Sequence, residues 1–354
     1  MTVIVPPGSP AARAAAAGRR HHNVRSIRDQ GISAARFGVS LGYWQDRDPL
    51  ESVETALLAD ALGYRELWLG EMATFDAFAL AAAVAARTTT IPLTIGPLAV
   101  GVRDPVTIAM GVASVAALTG RHVNVAVGSS SPTVVSRWHG RDIANGPARL
   151  RESVHALRSL LAGDRTSVLG TAVRTDGYRL RLAPPGSSIT VAAFGPAAVA
   201  TAAELGDRMV LNLCTVDAVA RLRADLHDAA ARSDRPAPPV AVWIPVAVDP
   251  DDATLDQLRR ALVAYVAAPG YGEMFADAGF GDVVTLARGG ARPADVLDAI
   301  PVALVEAIGA VGDQTACRAR LEAYARAGAD DLALVPATAG DPAGRRTLTA
   351  LAPG

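Results

Sequence analysis

Lysine is absent. All 34 basic residues of this 354-residue chain are arginine, which removes Schiff-base chemistry and the phosphate-binding lysine of a P-loop. Cysteine is scarce: Cys214 and Cys317 stand far apart without zinc-ligand spacing, as expected of a reducing cytosol. Neither sign of charge dominates. With 34 basic against 35 acidic residues and a formal net charge of −1, the basic surplus of a nucleic-acid or membrane-surface binder is missing. Long apolar runs are missing too. The longest, Ala77 to Ala86, is mostly alanine and too short to span a bilayer, and no signal peptide is visible. A cytoplasmic protein without membrane or nucleic-acid partners is the expectation. Abundant alanine with arginine in place of lysine is the composition of a GC-rich genome, which suits an actinobacterial source.

What is present is a repeat of strand and helix. Residues 1–35 stand apart as a disordered or variable extension: Pro6 to Gly18 is rich in Pro, Ala and Gly, and Arg19 to His22 is basic. His21 and His22 are adjacent and point apart on regular backbone, which makes a poor metal pair. From Phe37 the pattern becomes regular. Phe37–Leu41 reads as a strand, and Asp48-Pro49 opens a helix closed by Gly63, the expected helix punctuation. Strands follow at Glu66–Leu69, Ile91–Ile95 and Val123–Val127, with helices at Phe75–Arg87, Asp104–Leu118 and Pro147–Leu161. The spacing of strand starts matches a βαβ unit.

The second half repeats the pattern with interruptions. Strands are expected at Ile189–Ala193, Met209–Leu213, Val240–Val248 and Leu332–Val335, and helices at Pro196–Leu205, Val216–Arg232 and Asp313–Ala327. Eight strands with intervening helices predict an α/β fold, a (β/α)8 TIM barrel spanning residues 36–354. Two insertions interrupt it. The first, near 165–182, reads as a hairpin of Thr166–Val168 and Tyr178–Leu180 turning at Thr175-Asp-Gly177; the second, 250–312, reads as helical. An open doubly wound sheet is the alternative, but no G-x-G-x-x-G follows the first strand.

In a TIM barrel the active site lies at the C-terminal ends of the strands. That rule collects Tyr43, Trp44, Glu71, Met72, residues 96–103, Gly128 to Ser131, Phe194, Gly195 and Asn212, with Trp243 either there or in the core. The set is rich in glycine, hydroxyls and aromatics and poor in metal ligands. A cofactor pocket is the natural reading, and no metal is expected. Gly195-Pro196 opening a helix offers free N–H groups and a dipole to a phosphate. Glu71 fits either a pocket carboxylate or a strand-end ion pair. Arg103, just before Asp104-Pro105, reads as a helix-start ion pair rather than the alternative of an anion ligand, and His139 as either a site residue or a structural hydrogen-bond partner.

Five stretches in this order resemble the luciferase-like (bacterial luciferase superfamily) oxidoreductases that use coenzyme F420, a deazaflavin. They are Trp68-Leu-Gly-Glu-Met72, Ile95 to Ala109, Val125 to Gly140, Ala192-Ala-Phe-Gly-Pro196 and Ala310 to Pro336. The resemblance spans about residues 36 to 340 and implies the same barrel. It implies a non-prolyl cis peptide at Leu98–Ala99 behind the deazaflavin ring, and cofactor contacts at Leu98, Ala99, Gly101, Ser129 and Ser130. Phe194, Gly195, Ala197 and Ala198 would hold the phosphate tail. Two positions depart from the family. Many relatives follow the strand-two acid with a proton-donating histidine, where this chain has Met72. Relatives that oxidise a sugar phosphate carry a glutamate where this chain has Ser131, and phosphate-binding lysines that it lacks.

The expected activity is therefore hydride transfer between coenzyme F420 and a small organic substrate, in the direction of reduction. Glu71, His139, Tyr43 and Trp44 are the candidate catalytic residues. An FMN-dependent monooxygenase of the same family is one alternative, and a cofactor-binding protein without catalysis is another. The resemblance also implies a homodimer. The helices Phe75–Ala86 and Val106–Leu118 carry one charge between them, Asp76, whereas an outer barrel helix should show a polar face to water.

Overall fold

The computed structural model describes residues 35–353 except positions 45 and 72. The expected N-terminal extension, His21, His22 and Met72 therefore lie outside the described residues, save for Ala35 at the extension's edge.

The barrel is present and closed. Its strands, in chain order, are β1 (Arg36–Ser40), β2 (Leu67–Leu69), β3 (Leu93–Ala99), β4 (Val123–Gly128), then, after a hairpin of β5 (Ser167–Leu169) and β6 (Arg174–Asp176), β7 (Ile189–Ala192), β8 (Arg208–Asn212) and β9 (Val240–Val248). A short β10 (Ala310–Gly312) and the eighth barrel strand, β11 (Asp331–Pro336), complete the set. Neighbouring barrel strands pair in parallel in the order β9-β11-β1-β2-β3-β4-β7-β8, and β8 returns to β9 through Met209 opposite Val240. The extra β10 pairs with the far end of β9.

Around the barrel run α1 (Glu51–Ala61), α2 (Ala77–Ala85), α3 (Pro105–Thr119), α4 (Gly146–Leu161), α5 (Pro196–Leu205) and α6 (Val216–Arg232). The long insertion between β9 and β10 holds α7 (Asp252–Val266), α8 (Tyr271–Phe275), α9 (Gly281–Arg288), α10 (Pro293–Ala299) and α11 (Val302–Ile308); α12 (Gln314–Arg326) and α13 (Arg345–Ala350) follow. Side-chain caps start many of these helices. Asp76 accepts from the N–H groups of Phe78 and Ala79, Asp104 from Thr107, Thr215 from Ala218, and Asp313 from Ala316. Each satisfies a helix N–H that would otherwise lack a partner.

Strand parity builds two separate cores. Outward-facing Val39, Leu67, Leu69, Leu93, Ile95, Val125, Val191, Leu211, Val242 and Leu334 meet the helices in one large apolar cluster. Inward-facing residues form a second cluster of Trp68, Ala126, Val210, Ala241, Trp243 and Ala333. Two indoles among alanines fill the barrel axis, meeting edge-to-face with centroids 5.6 Å apart. Below them the axis becomes charged. The Arg208 guanidinium lies 4.4 Å over the Trp68 ring and pairs with Glu66 at 2.7 Å and Asp331 at 3.0 Å. Arg36 joins Asp331 from outside, and Thr94 donates to Glu66 at 2.5 Å.

Three local expectations are corrected. Strand three does not stop at Ile95: it slips register by a bulge, and Leu98 and Ala99 pair again with Val127 and Gly128. The cis peptide is not Leu98–Ala99 but Gly96–Pro97; the tertiary amide before proline makes cis far less costly than at any other bond. In the hairpin, the turn falls at residues 170–173 rather than at Thr175-Asp-Gly177, and Thr175 and Asp176 lie in β6. The Glu152 carboxylate of α4 decides this by accepting from the backbone N–H groups of Thr171, Ala172 and Val173.

The Arg208 cluster makes the first prediction. Removing one member of a buried ion network leaves its partners uncompensated, at about 3–5 kcal/mol. Arg208→Leu should lower the unfolding free energy by about that amount in chemical denaturation; a loss below about 1 kcal/mol would show that Glu66 and Asp331 are solvated without it.

Candidate active site

At the C-terminal strand ends, Tyr43 stands beside the inward-facing Trp243. On the β3–β4 side, two glycines permit close backbone approach. Gly96 has φ +120°, and a Cβ there would overlap the Ala126 carbonyl oxygen. A Cβ on Gly128 would stand 3.1 Å from that of Ala192, with Pro97 beyond it. At the bulge Ala99 stays half-buried, whereas the Leu98 and Val100 side chains are buried in the outer core. Gly101 follows. The π-helical turn Thr133–Trp138 packs Val135 against it, so that a Cβ at Gly101 would lie 2.9 Å from a Val135 methyl.

Beyond β4, Ser129, Ser130 and Ser131 are exposed, and Ser130 has φ +62°. A non-glycine residue in that region carries strain that surrounding structure must hold, a feature concentrated at functional sites. Leu213, at the end of β8, is a second such residue with φ +51°. On the β7 side, Phe194 is half-buried and Gly195 begins α5 without a side-chain cap, with Pro196 and Ala197 exposed. Among the described residues, the N–H groups of Gly195 and Ala197 have no acceptor, while the next two amides bond back to the Gly195 carbonyl. A Cβ at Gly195 would meet open space.

Glu71 is held. Arg103 donates to both of its carboxylate oxygens, through Nε at 2.8 Å and through Nη2, and also reaches Asp76. Glu71 in turn accepts from the Ala77 N–H, so the pair ties the ends of β2 and β3 to the start of α2. The two carboxylates hold the Arg103 guanidinium more firmly charged than usual. His139 ends the π-helical turn with its side chain exposed, next to the half-exposed Trp138. Trp44 donates its indole N–H to the Pro336 carbonyl at 2.9 Å and covers Gly42. That bond anchors the loop after β1 onto the end of β11.

Tyr43 points the other way, over the barrel. Its ring centroid is 6.3 Å from Trp243, and its hydroxyl occupies the space a side chain at Gly70 would need. Burial raises this hydroxyl well above the ordinary tyrosine range, and Tyr265 and Glu71 nearby add to the rise. The residues that the strand-end rule does not reach come from the long insertion. Tyr265 and Tyr271 meet edge-to-face at 5.1 Å, and Tyr271 also packs at 4.8 Å on Phe194. Both stand by Asn212 at the end of β8: burial raises their hydroxyls, and the Asn212 side chain opposes that rise. The turn ahead of α8 depends on Gly270, whose φ is +84° and where a Cβ would press on Phe194.

Comparison with known proteins gives this barrel its class, that of the luciferase-like oxidoreductases. The profile of the luciferase-like monooxygenase family matches residues 31–331, and the chain belongs to that family. It is 28% identical over 190 residues to a protein of Mycobacterium tuberculosis named as a putative coenzyme F420-dependent oxidoreductase, a match covering 49% of this chain and 54% of that one. It is 26% identical over 219 residues to the 5,10-methylenetetrahydromethanopterin reductase of Archaeoglobus fulgidus, covering 60% and 64%. Each match thus spans less than two thirds of the curated relative. Among solved structures, the coenzyme F420 dependent tetrahydromethanopterin reductase from Methanopyrus kandleri superposes with a TM-score of 0.75 at 16% identity, over 90% of this chain and 97% of that one. At that identity the likeness shows the shared fold.

The packing of Tyr43 above Gly70 is open to test. Gly70→Ala should overpack the site and cost about 1–3 kcal/mol in chemical denaturation. Tyr43→Ala also loses the ring's packing on Trp243, but the double variant should lose clearly less than the sum of the two single variants, because the truncation empties the contested space. Additive effects of the two substitutions would show that they do not touch.

Proposed function

We propose that the protein is a coenzyme F420-dependent oxidoreductase that reduces a small organic substrate at the barrel mouth. One observation carries the reading: the open start of α5, with unclaimed N–H groups at Gly195 and Ala197, faces the same mouth as the β3 bulge and the strained Ser130. The family membership and the two curated relatives support the choice of a deazaflavin. The pocket residues fit such a group. Half-buried Pro97, Ala99 and Ala192 present small side chains to a flat ring, while the exposed hydroxyls of Ser129 to Ser131 and the helix amides at 195 and 197 offer donors to a polar tail.

In this reading Ala99, Gly101 and the backbone of Leu98, whose side chain is buried, back the ring; Ser129 and Ser130 bond to its polar edge, and Phe194, Gly195, Ala197 and Ala198 receive the phosphate. When bound, the cofactor supplies hydride chemistry; the protein supplies orientation and a pocket that excludes water. Glu71 acts through Arg103, holding β2, β3 and α2 in register around the ring. Trp44 walls the pocket from the β1 side, and His139 serves from the exposed loop after β4. Tyr43 remains the hydroxyl nearest the end of β2.

Titration of the purified protein with oxidised coenzyme F420, followed by fluorescence, tests the reading. Gly195→Asp introduces a carboxylate among the tail phosphates without a steric clash, and should weaken binding ten-fold or more, about 1.4 kcal/mol. Tight FMN binding with no affinity for the deazaflavin would contradict it, and an unchanged affinity in the variant would place the tail elsewhere.

The functional unit in this proposal is a homodimer. Ala79, Ala83, Met110, Ala117 and Leu118 form an exposed, uncharged face on α2 and α3, with Leu118 81% exposed. Close packing is available, since the Phe78 ring already sits on Gly111 between these helices. An apolar helix face of this kind calls for cover, and a second copy would bury about 2,000 Å² or more in the obligate size class. Light scattering at micromolar concentration should report a dimer, and Ala83→Arg with Met110→Arg should dissociate it. A wild-type monomer, or a variant that stays dimeric, would refute this interface.

A further inference from the structure

The proton that a reduction requires has no obvious source among the charged groups at the mouth. When a hydride adds to a C=O, C=N or activated C=C bond, the displaced electron pair must be met by a proton. Glu71 is engaged elsewhere: both its oxygens accept from the Arg103 guanidinium, and one also accepts from the Ala77 N–H. His139 faces solvent from the loop. The mouth is instead lined by hydroxyls. Tyr43 comes from the loop after β1, Tyr265 from α7 and Tyr271 from α8, and the Asn212 amide stands with the last two at the end of β8.

Tyr43 has the most directed position. Gly70 lies on the inward face of β2 with Glu66 and Trp68, and the absence of a side chain there is what lets the Tyr43 hydroxyl sit over the strand end. Trp243 supports the ring from below. Among the described residues this hydroxyl enters no hydrogen bond, although its half-buried ring is fixed on both sides. A donor held in place with its proton uncommitted is the arrangement general acid catalysis needs. Burial and the nearby Glu71 disfavour a free phenolate here, so the hydroxyl can give its proton only as solvent replaces it in the same step.

We propose that Tyr43 is the proton donor of this site, and that Tyr43, Tyr265, Tyr271 and Asn212 select a neutral substrate that carries a carbonyl or imine on a flat apolar body. The inference rests on the coenzyme F420 reading above and concerns the proton alone. The Tyr43 O–H bond breaks as the substrate's oxygen, nitrogen or α-carbon takes the proton, while a solvent O–H gives its own proton to the Tyr43 oxygen, so that no free phenolate is left. Hydroxyl and amide groups bond to a carbonyl without supplying a counter-charge. An anionic substrate would find the nearby Arg103 already neutralised by Glu71 and Asp76.

Cyclohex-2-en-1-one serves as the probe, with cyclohex-1-ene-1-carboxylate as its anionic counterpart. Infrared difference spectra of the enone bound to protein loaded with oxidised coenzyme F420 should show its carbonyl stretch shifted to lower frequency. Tyr43→Phe should remove that shift, leave cofactor affinity within about two-fold, and slow reduction of the enone at saturation by about 100-fold. The solvent deuterium isotope effect on that step should fall with it. The carboxylate should bind at least ten-fold more weakly than the enone. A shift or rate unchanged in Tyr43→Phe overturns Tyr43 as donor, and equal binding of the carboxylate, or no binding of the enone at millimolar concentration, overturns the substrate class. Failure of the wild type to bind the deazaflavin is a separate result, which would remove the reading on which the inference stands.

Discussion

The two tryptophans on the barrel axis set the terms for everything above and below them. Trp68 and Trp243 meet edge-to-face among alanines, and between them they leave no passage along the axis for a ligand. Their size forces the other inward positions at that level to be small, hence Ala126, Ala241 and Ala333. Below, the face of Trp68 carries the Arg208 guanidinium, whose charge is balanced by Glu66 and Asp331. Above, Trp243 supports the ring of Tyr43. A ligand in the proposed site is thereby kept to the rim, between the strand ends and the helices of the long insertion.

At the rim the chain concentrates its backbone irregularities. The register slip in β3, the left-handed Ser130 after β4 and the left-handed Leu213 after β8 all fall at C-terminal strand ends. The other end of the barrel is closed instead by ion pairs and threonine hydroxyls. This division, stability at one end and irregularity at the other, is usual in (β/α) barrels. The bidentate Glu71–Arg103 pair belongs to the functional end but does a structural task, fixing two strand ends to one helix start.

Much of the fold was legible because local signals and global parity agree. Asp104-Pro105 and Gly120 delimit α3 as their chemistry requires, with the Asp cap, the Pro at the first turn and a left-handed glycine at the end. Most barrel strands were marked by apolar runs between helix signals. The β3 extension was hidden because Gly96-Pro97 reads as a stop, whereas the chain bulges there and resumes pairing. The hairpin turn was hidden because Glu152, on another element, decides it. Strand ends supplied Glu71, Ser129, Ser130 and Gly195 as site candidates. Tyr265 and Tyr271 were not legible in the same way: they lie within a helical insertion, and only the folded chain brings them beside Asn212 and Phe194.

Hydrogen–deuterium exchange with and without oxidised coenzyme F420 tests the central claim most directly, since it reports where the ligand lies independently of turnover. Slowed exchange should appear in segments 96–103, 129–131 and 194–199, with none in the strand starts that carry Glu66, Arg208 and Asp331. Protection confined to the base of the barrel, or none at any of the three rim segments under saturating cofactor, would contradict it.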